Sequence, residues 1–166
     1  TDYLKSRILS DTDAEGMMDI HALTLSPALP DTVFLATRMG LFRSDDAARS
    51  WKDMELWRAS PLCYARDVQV CPTNPNTLYA ALSPGALTLN GAVYRSPDLG
   101  KTWRRFTNAI QAQSTMMTVS PSRTKSDIVF CGTRKGQVFG TQDSGRTWST
   151  SVLPSGCDNV YALACE

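Results

Sequence analysis

The chain repeats itself three times, and each copy closes on the same turn. Ser96-Pro97-Asp98-Leu99-Gly100-Lys101-Thr102-Trp103 carries serine, aspartate, glycine, threonine and tryptophan at fixed offsets, SxDxGxTW. Thr141–Trp148 departs from it only at the first position. Ser44–Trp51 is a worn copy, with Ala48 for the glycine and Ser50 for the threonine. At average residue usage a full five-position match arises by chance in roughly one window in several million, so three in register are a repeat. Trp51, Trp103 and Trp148 stand 52 and 45 residues apart. A period of about 40–50 residues filled with short β runs is the sequence signature of propeller blades.

The units run from Ile20 to Met54, from Asp67 to Phe106 and from Met116 to Ser151. Period-2 alternation and turn chemistry place four strands in each. First strands are expected over Ile20–Leu25, Asp67–Val70 and Met116–Val119, each ended by Ser/Cys-Pro, because proline cannot donate to a ladder and belongs just outside a central strand. Second strands are expected over Thr32–Ala36, Thr77–Ala81 and Asp127–Cys131. Third strands follow over Gly40–Arg43, Ala92–Arg95 and Gln137–Gly140, and a fourth begins at each Trp. The best helical candidate, Thr102–Ala112, fits a strand plus a loop. The expectation is an all-β chain, a partial propeller of about three four-stranded antiparallel blades over 20–63, 64–113 and 114–158. Residues 1–19 are expected to be a strand (Tyr3–Leu9) and loop (Ser10–Gly16) from a preceding blade. Residues 159–166, with Asn159–Cys165, are expected to be the innermost strand of a further one. Propellers carry about 4–8 blades, so three leave sheet faces for another chain or segment to cover, either a second copy or an N-terminal half; the first residue, Thr1, is not Met, which favours the latter.

The repeated turn has a structural explanation. A carboxylate in a hairpin turn accepts hydrogen bonds from backbone N–H groups that the turn leaves unpaired. Glycine supplies a positive φ, and an indole packs against the neighbouring turn. Asp46, Asp98 and Asp143, Gly100 and Gly145, and Trp51, Trp103 and Trp148 are therefore read as structural, and the carboxylates are not offered as a glycosidase pair.

These turns resemble those of the Asp-box (BNR) repeat propellers, a group of sialidases, sortilin-type receptors, xyloglucan hydrolases and a photosystem assembly factor. The cadence is most similar to the C-terminal half of bacterial sialidase-like BNR-repeat proteins, and the likeness covers nearly the whole chain. It implies the propeller fold. It does not imply an activity, because the shared motif is structural; it does imply that the turns lie on the face opposite the family's active sites. Sialidases use an arginine cluster with an acid/base set, but their FRIP motif is absent here, as is a recognisable Tyr/Glu nucleophile pair.

By elimination the opposite rim is the candidate functional face. It carries the residues leading into each innermost strand and the hairpins between second and third strands, Thr37-Arg38-Met39-Gly40 and Thr133-Arg134-Lys135-Gly136. Arg38, Arg66 and Arg134 are expected near one channel mouth, with Asp19, His21, Tyr64 and Asp67 beside them. Converging guanidinium groups suit a carboxylate or another planar oxyanion, which they bind bidentately. The competing reading is that TRxG is a hairpin sequence with a solvated arginine. His21 and Tyr64 are candidate ligand-contacting groups, set against ordinary polar residues at the start of a strand. Met116 and Met117 are expected to fill the hub.

Composition narrows the classes. Seventeen basic against 16 acidic residues give a net charge of +1, which offers no general pull toward nucleic acid or an anionic membrane. No apolar run approaches the roughly 20 residues of a membrane-spanning helix. Five cysteines at irregular gaps form no CxxC pair, and His21 is the single histidine, so no metal site is expected. Reduced thiols point to the cytoplasm, with secretion left open. No phosphate loop or Ser-His-Asp order is present, and no cofactor is expected. A binding scaffold for a partner or a small anionic or carbohydrate ligand, a sialidase-like hydrolase or lyase completed by residues elsewhere, and a purely structural half-propeller all remain open.

Overall fold

The computed structural model describes residues 19–166; the expected strand Tyr3–Leu9 and loop Ser10–Gly16 lie outside them. Twelve strands form three four-stranded antiparallel sheets, each a meander in sequence order. Blade 1 is β1 (Ile20–Ser26), β2 (Leu29–Thr37), β3 (Gly40–Ser44) and β4 (Lys52–Asp53). Blade 2 is β5 (Tyr64–Cys71), β6 (Asn74–Ser83), β7 (Ala92–Ser96) and β8 (Arg104–Arg105). Blade 3 is β9 (Met116–Pro121), β10 (Val129–Thr133), β11 (Gln137–Thr141) and β12 (Ser149–Val152). The helical structure among the described residues is one 3-10 turn, Leu56–Arg58.

The first strand of each blade packs against the first strand of the next, so β1, β5 and β9 line the hub. Alternation along β6 buries both faces of blade 2. Leu78, Ala80 and Leu82 join Phe34, Leu41 and Trp103 in the core shared with blade 1, whereas Tyr79 and Ala81 join Val119, Val129 and Phe139 in the core shared with blade 3. Strand periodicity thus builds two inter-sheet cores from one sheet.

Each SxDxGxTW turn is held by one carboxylate. Its Oδ1 accepts the backbone N–H of Ser50, Thr102 or Thr147 at 2.8 Å, and its Oδ2 accepts the hydroxyl of the same residue at 2.6–2.7 Å. The hydroxyl of Ser44, Ser96 or Thr141 donates to the carboxylate at 2.8 Å and accepts the N–H of Ala48, Gly100 or Gly145 at 2.7–2.9 Å. Threonine at the first position therefore does the serine's work. Those bonds, led by the Ser50 and Thr147 hydroxyls, pull Asp46 and Asp143 down to about 2. Burial opposes the same bonds at Asp98, whose carboxyl is still lowered. Gly100 and Gly145 have φ of +86° and +85°; in the worn copy Ala48 takes φ 68°, a conformation that Cβ disfavours.

Strand ends shift by one to three residues from the sequence expectation, and three differences have a local cause. β5 begins at Tyr64, ahead of Asp67, across a bulge between Ala65 and Asp67. Pro121 is the last residue of β9 and pairs with Val129, rather than lying outside it; the strand ends there, so the missing N–H interrupts nothing beyond. Asn159–Cys165 forms no ladder. It lies along the channel beside β9, with Asn159 N–H donating to Arg134 O at 2.6 Å and Val160 N–H to Thr133 O at 3.3 Å. No described strand pairs with it, and a strand needs a partner.

Candidate functional site

The two TRxG hairpins owe their shape to threonine and glycine. Thr37 Oγ1 accepts Met39 N–H at 3.1 Å and donates to Gly40 O at 3.3 Å, while Thr133 Oγ1 accepts Gln137 N–H at 3.1 Å. Gly40 and Gly136 take φ of +138° and +77°. The turn is built by its ends, which leaves Arg38 and Arg134 at the rim.

Asp19, His21, Arg38, Tyr64, Arg66 and Arg134 line one recess of about 260 Å³. Seven residues were expected at the mouth, and six meet there. Met117, Asn159, Tyr161 and Ala86 complete the wall. His21, Arg66, Met117 and Tyr161 also line a channel of about 450 Å³ that runs between the inner strands, so the recess continues into the hub.

Burial lowers the basicity of His21, assisted by the positive charge of Arg66 and Arg38 and opposed by the Ala65 carbonyl and Asp19. Its Nδ1–H donates to Ala65 O at 2.8 Å. That bond fixes the tautomer and leaves the Nε2 lone pair facing Tyr64 OH at 3.5 Å, the rings 5.1 Å apart. Arg38 lies 3.5 Å from Asp19 in an exposed pair, a contact of small energy. Arg134 donates to Ala86 O at 3.2 Å, which ties blade 3 to the long β6–β7 connection. No carboxylate pairs with Arg66 among the described residues. Among the described residues three guanidinium groups thus share the recess with one carboxylate, Asp19.

Asp67 is not at the mouth; it faces the channel and is 7% exposed. Its carboxylate accepts from Thr118 Oγ1 at 3.0 Å, Val119 N–H at 2.9 Å and Gln69 Nε2 at 2.9 Å. Burial raises its pKa against those hydrogen bonds. It stitches β5 to β9, a role for a carboxylate at the start of an inner strand that alternation alone does not reveal. Tyr161 was missed as a wall residue, although it lies in the segment expected as an inner strand; Asn159 stands at the start of that segment, on the rim expected to be functional.

No protein-family model matches the chain, and no curated protein matches it in sequence. Solved structures do. An ancestral GH74 enzyme superposes with a TM-score of 0.66 at 19% identity, over 82% of this chain and 19% of that one. YCF48 from Cyanidioschyzon merolae superposes at 0.59 and 15% identity, over 81% and 40%. YCF48 bound to D1 peptide superposes at 0.57 and 15% identity, over 81% and 40%. The chain spans between about a fifth and two fifths of the structures it matches. With three four-stranded antiparallel blades and these neighbours, the chain has a β-propeller fold.

Proposed function

We propose that the chain is a ligand- or partner-binding propeller scaffold of the Asp-box class, and that its arginine-bearing mouth takes a carboxylate or another planar oxyanion. The observation that carries this is the gathering of Arg38, Arg66 and Arg134 around one recess. Guanidinium forks bind a carboxylate bidentately, and a neutral His21 with Tyr64 supplies polar contacts without adding charge. YCF48, which shares the fold, is known bound to D1 peptide, and that supports partner binding by such a scaffold. Another chain or segment completing the ring is part of the same proposal.

The alternative is a sialidase-like glycoside hydrolase or lyase. Most glycosidases use two carboxyl groups about 5–9 Å apart, whereas sialidases use a tyrosine nucleophile; Tyr64 and Tyr161 line the recess, and Asp19 is the single carboxylate in its wall among the described residues. That reading therefore needs the glutamate of a Tyr/Glu nucleophile pair from a segment outside them.

Calorimetric titration with N-acetylneuraminate, beside neutral N-acetylglucosamine, tests the anion reading. Binding of the acid alone, weakened in Arg66→Ala by about 1–3 kcal/mol, is expected. Equal or absent binding of both sugars overturns it, and turnover of a neuraminyl glycoside establishes the alternative.

A further inference from the structure

Blades 1 and 2 each set two cations directly across their outer strands, and only blade 1 supplies the anion between them. Arg43 pairs with Lys52 across β3 and β4. Asp45 bridges the two, 2.7 Å from Arg43 Nε and 3.6 Å from Lys52 Nζ, and it also accepts from Thr32 Oγ1 at 3.2 Å. In blade 2, Arg95 pairs with Arg104 in the same register. The residue at the position of Asp45 is Pro97.

Two atoms record the loss. Val33 pairs with Ser44 and Leu78 with Ser96, so Thr77 is the counterpart of Thr32 and Arg95 of Arg43. Among the described residues Thr77 Oγ1 and Arg95 Nε are buried without a hydrogen-bond partner, although the Arg95 guanidinium also bonds the Tyr79 side chain opposite it. They match the two donors that converge on Asp45 in blade 1. Like charges directly opposite on a ladder destabilise it, and buried donors are normally satisfied. Blade 3 has no such requirement, since Gly140 faces Ser149 there.

We propose that blade 2 carries a second anion site, in which a carboxylate from an acidic partner polypeptide takes the place that Asp45 fills in blade 1. The space beside Arg95 is a recess of about 370 Å³ lined by Arg95, Pro97, Thr102, Arg104, Arg105 and Phe106, with neither an acidic residue nor Thr77 in its wall among the described residues. Arg104 and Arg105 are exposed and Arg95 half-buried behind them. An incoming carboxylate meets two exposed guanidinium groups and then a half-buried one. The site sits beside the SxDxGxTW turn, at the end of the strands opposite the TRxG mouth, and does not rest on the function proposed for that mouth.

Fluorescence anisotropy of a labelled polyglutamate peptide titrated with the purified protein tests the site. Pro97→Asp returns the internal carboxylate and is expected to weaken binding about tenfold or more while raising Tm. Arg104→Gln, which removes one of the two facing cations, is expected to weaken it similarly with Tm raised rather than lowered, and Arg66→Ala at the mouth is expected to leave it intact. No peptide binding by the parent protein, unaltered binding in Arg104→Gln, or loss only in Arg66→Ala overturns the site. Acetate is the competitor expected to mimic the ligand. Displacement by inorganic phosphate at concentrations where acetate has no effect overturns the carboxylate assignment in favour of phosphate.

Discussion

Phe106 of blade 2 closes over Gly145 of blade 3, so tightly that a Cβ on the glycine would fall 2.8 Å from Phe106 Cε2. Met54 of blade 1 covers Gly100 of blade 2 in the same way. Each covering residue stands three positions after the tryptophan of its own turn. The motif glycine thus serves twice, once for its positive φ and once to admit the preceding blade. Phe106 also meets Tyr79 and Trp148 edge-on, with centroids 5.2 and 5.4 Å away, which carries the contact into the core between blades 2 and 3.

Gly145→Ala should therefore cost about 2–4 kcal/mol, combining left-handed strain with overpacking. Ala48→Gly in the worn turn should do the opposite and stabilise by about 1 kcal/mol, because Ala48 already carries φ 68°. Urea unfolding of the two variants against the parent checks both signs. Equal stability of all three would show that the turns relax freely.

Acid should loosen these turns in a defined window. Asp46 and Asp143 titrate near 2 in the fold against an ordinary 3.8. The depressed group contributes fully above the unfolded value, and the contribution is lost as pH falls from about 4 toward 2. Asp143→Asn removes the ionisation, so its Tm should fall less steeply than the parent's across that range. Thermal melts at stepped pH supply the comparison.

Asp67 should behave differently from the turn aspartates, because it is buried. Asp67→Ala strands Thr118 Oγ1 and the Val119 N–H, at a cost of about 1–3 kcal/mol. Asp67→Asn keeps an acceptor and should lose less. Since burial raises this carboxyl, its contribution falls as pH rises from the ordinary 3.8 through the folded value. The parent should therefore lose stability relative to Asp67→Asn over that rise.

His21 has a folded pKa below 6.5, so its neutral form is favoured by folding. The stabilisation is complete above pH 6.5 and is lost as pH drops through the lowered value. Protonation also adds a fourth cation to the mouth. N-acetylneuraminate affinity should tighten over the same drop in the parent protein and stay flat in His21→Gln, which calorimetry across that range resolves.

Much of this was legible in the residues. Alternation and the prolines located all twelve strands to within a few positions, because sheets buried on both faces leave little freedom in register. The arginines of TRxG were legible as rim residues once the turn chemistry of threonine and glycine was recognised. Asp67 was misplaced because nothing local distinguishes a carboxylate facing solvent from one accepting bonds across a blade boundary. The exchange of Asp45 for Pro97 stands in the sequence, yet its meaning depends on the pairing of Arg95 with Arg104, which only the assembled sheet shows.

The two ends of the arc should be covered by another polypeptide. In blade 3 the position equivalent to Met54 and Phe106 is Ser151, and β12 is exposed throughout. Val152, Leu153 and Tyr161 are 66%, 39% and 64% exposed at that end, and Ile20, Leu23 and Leu25 are 64%, 54% and 55% exposed on β1 at the other. Apolar faces of this kind on a sheet invite pairing and packing. A second copy or a further segment of the same protein that continues the ring should bury more than roughly 1,000 Å² at each junction. Val152→Lys combined with Leu153→Lys should weaken that association while leaving the buried cores on either side of blade 2 untouched. Light scattering and native mass spectrometry of the purified chain read the result directly. A stable, well-folded monomer of 18.2 kDa would show that three blades suffice on their own.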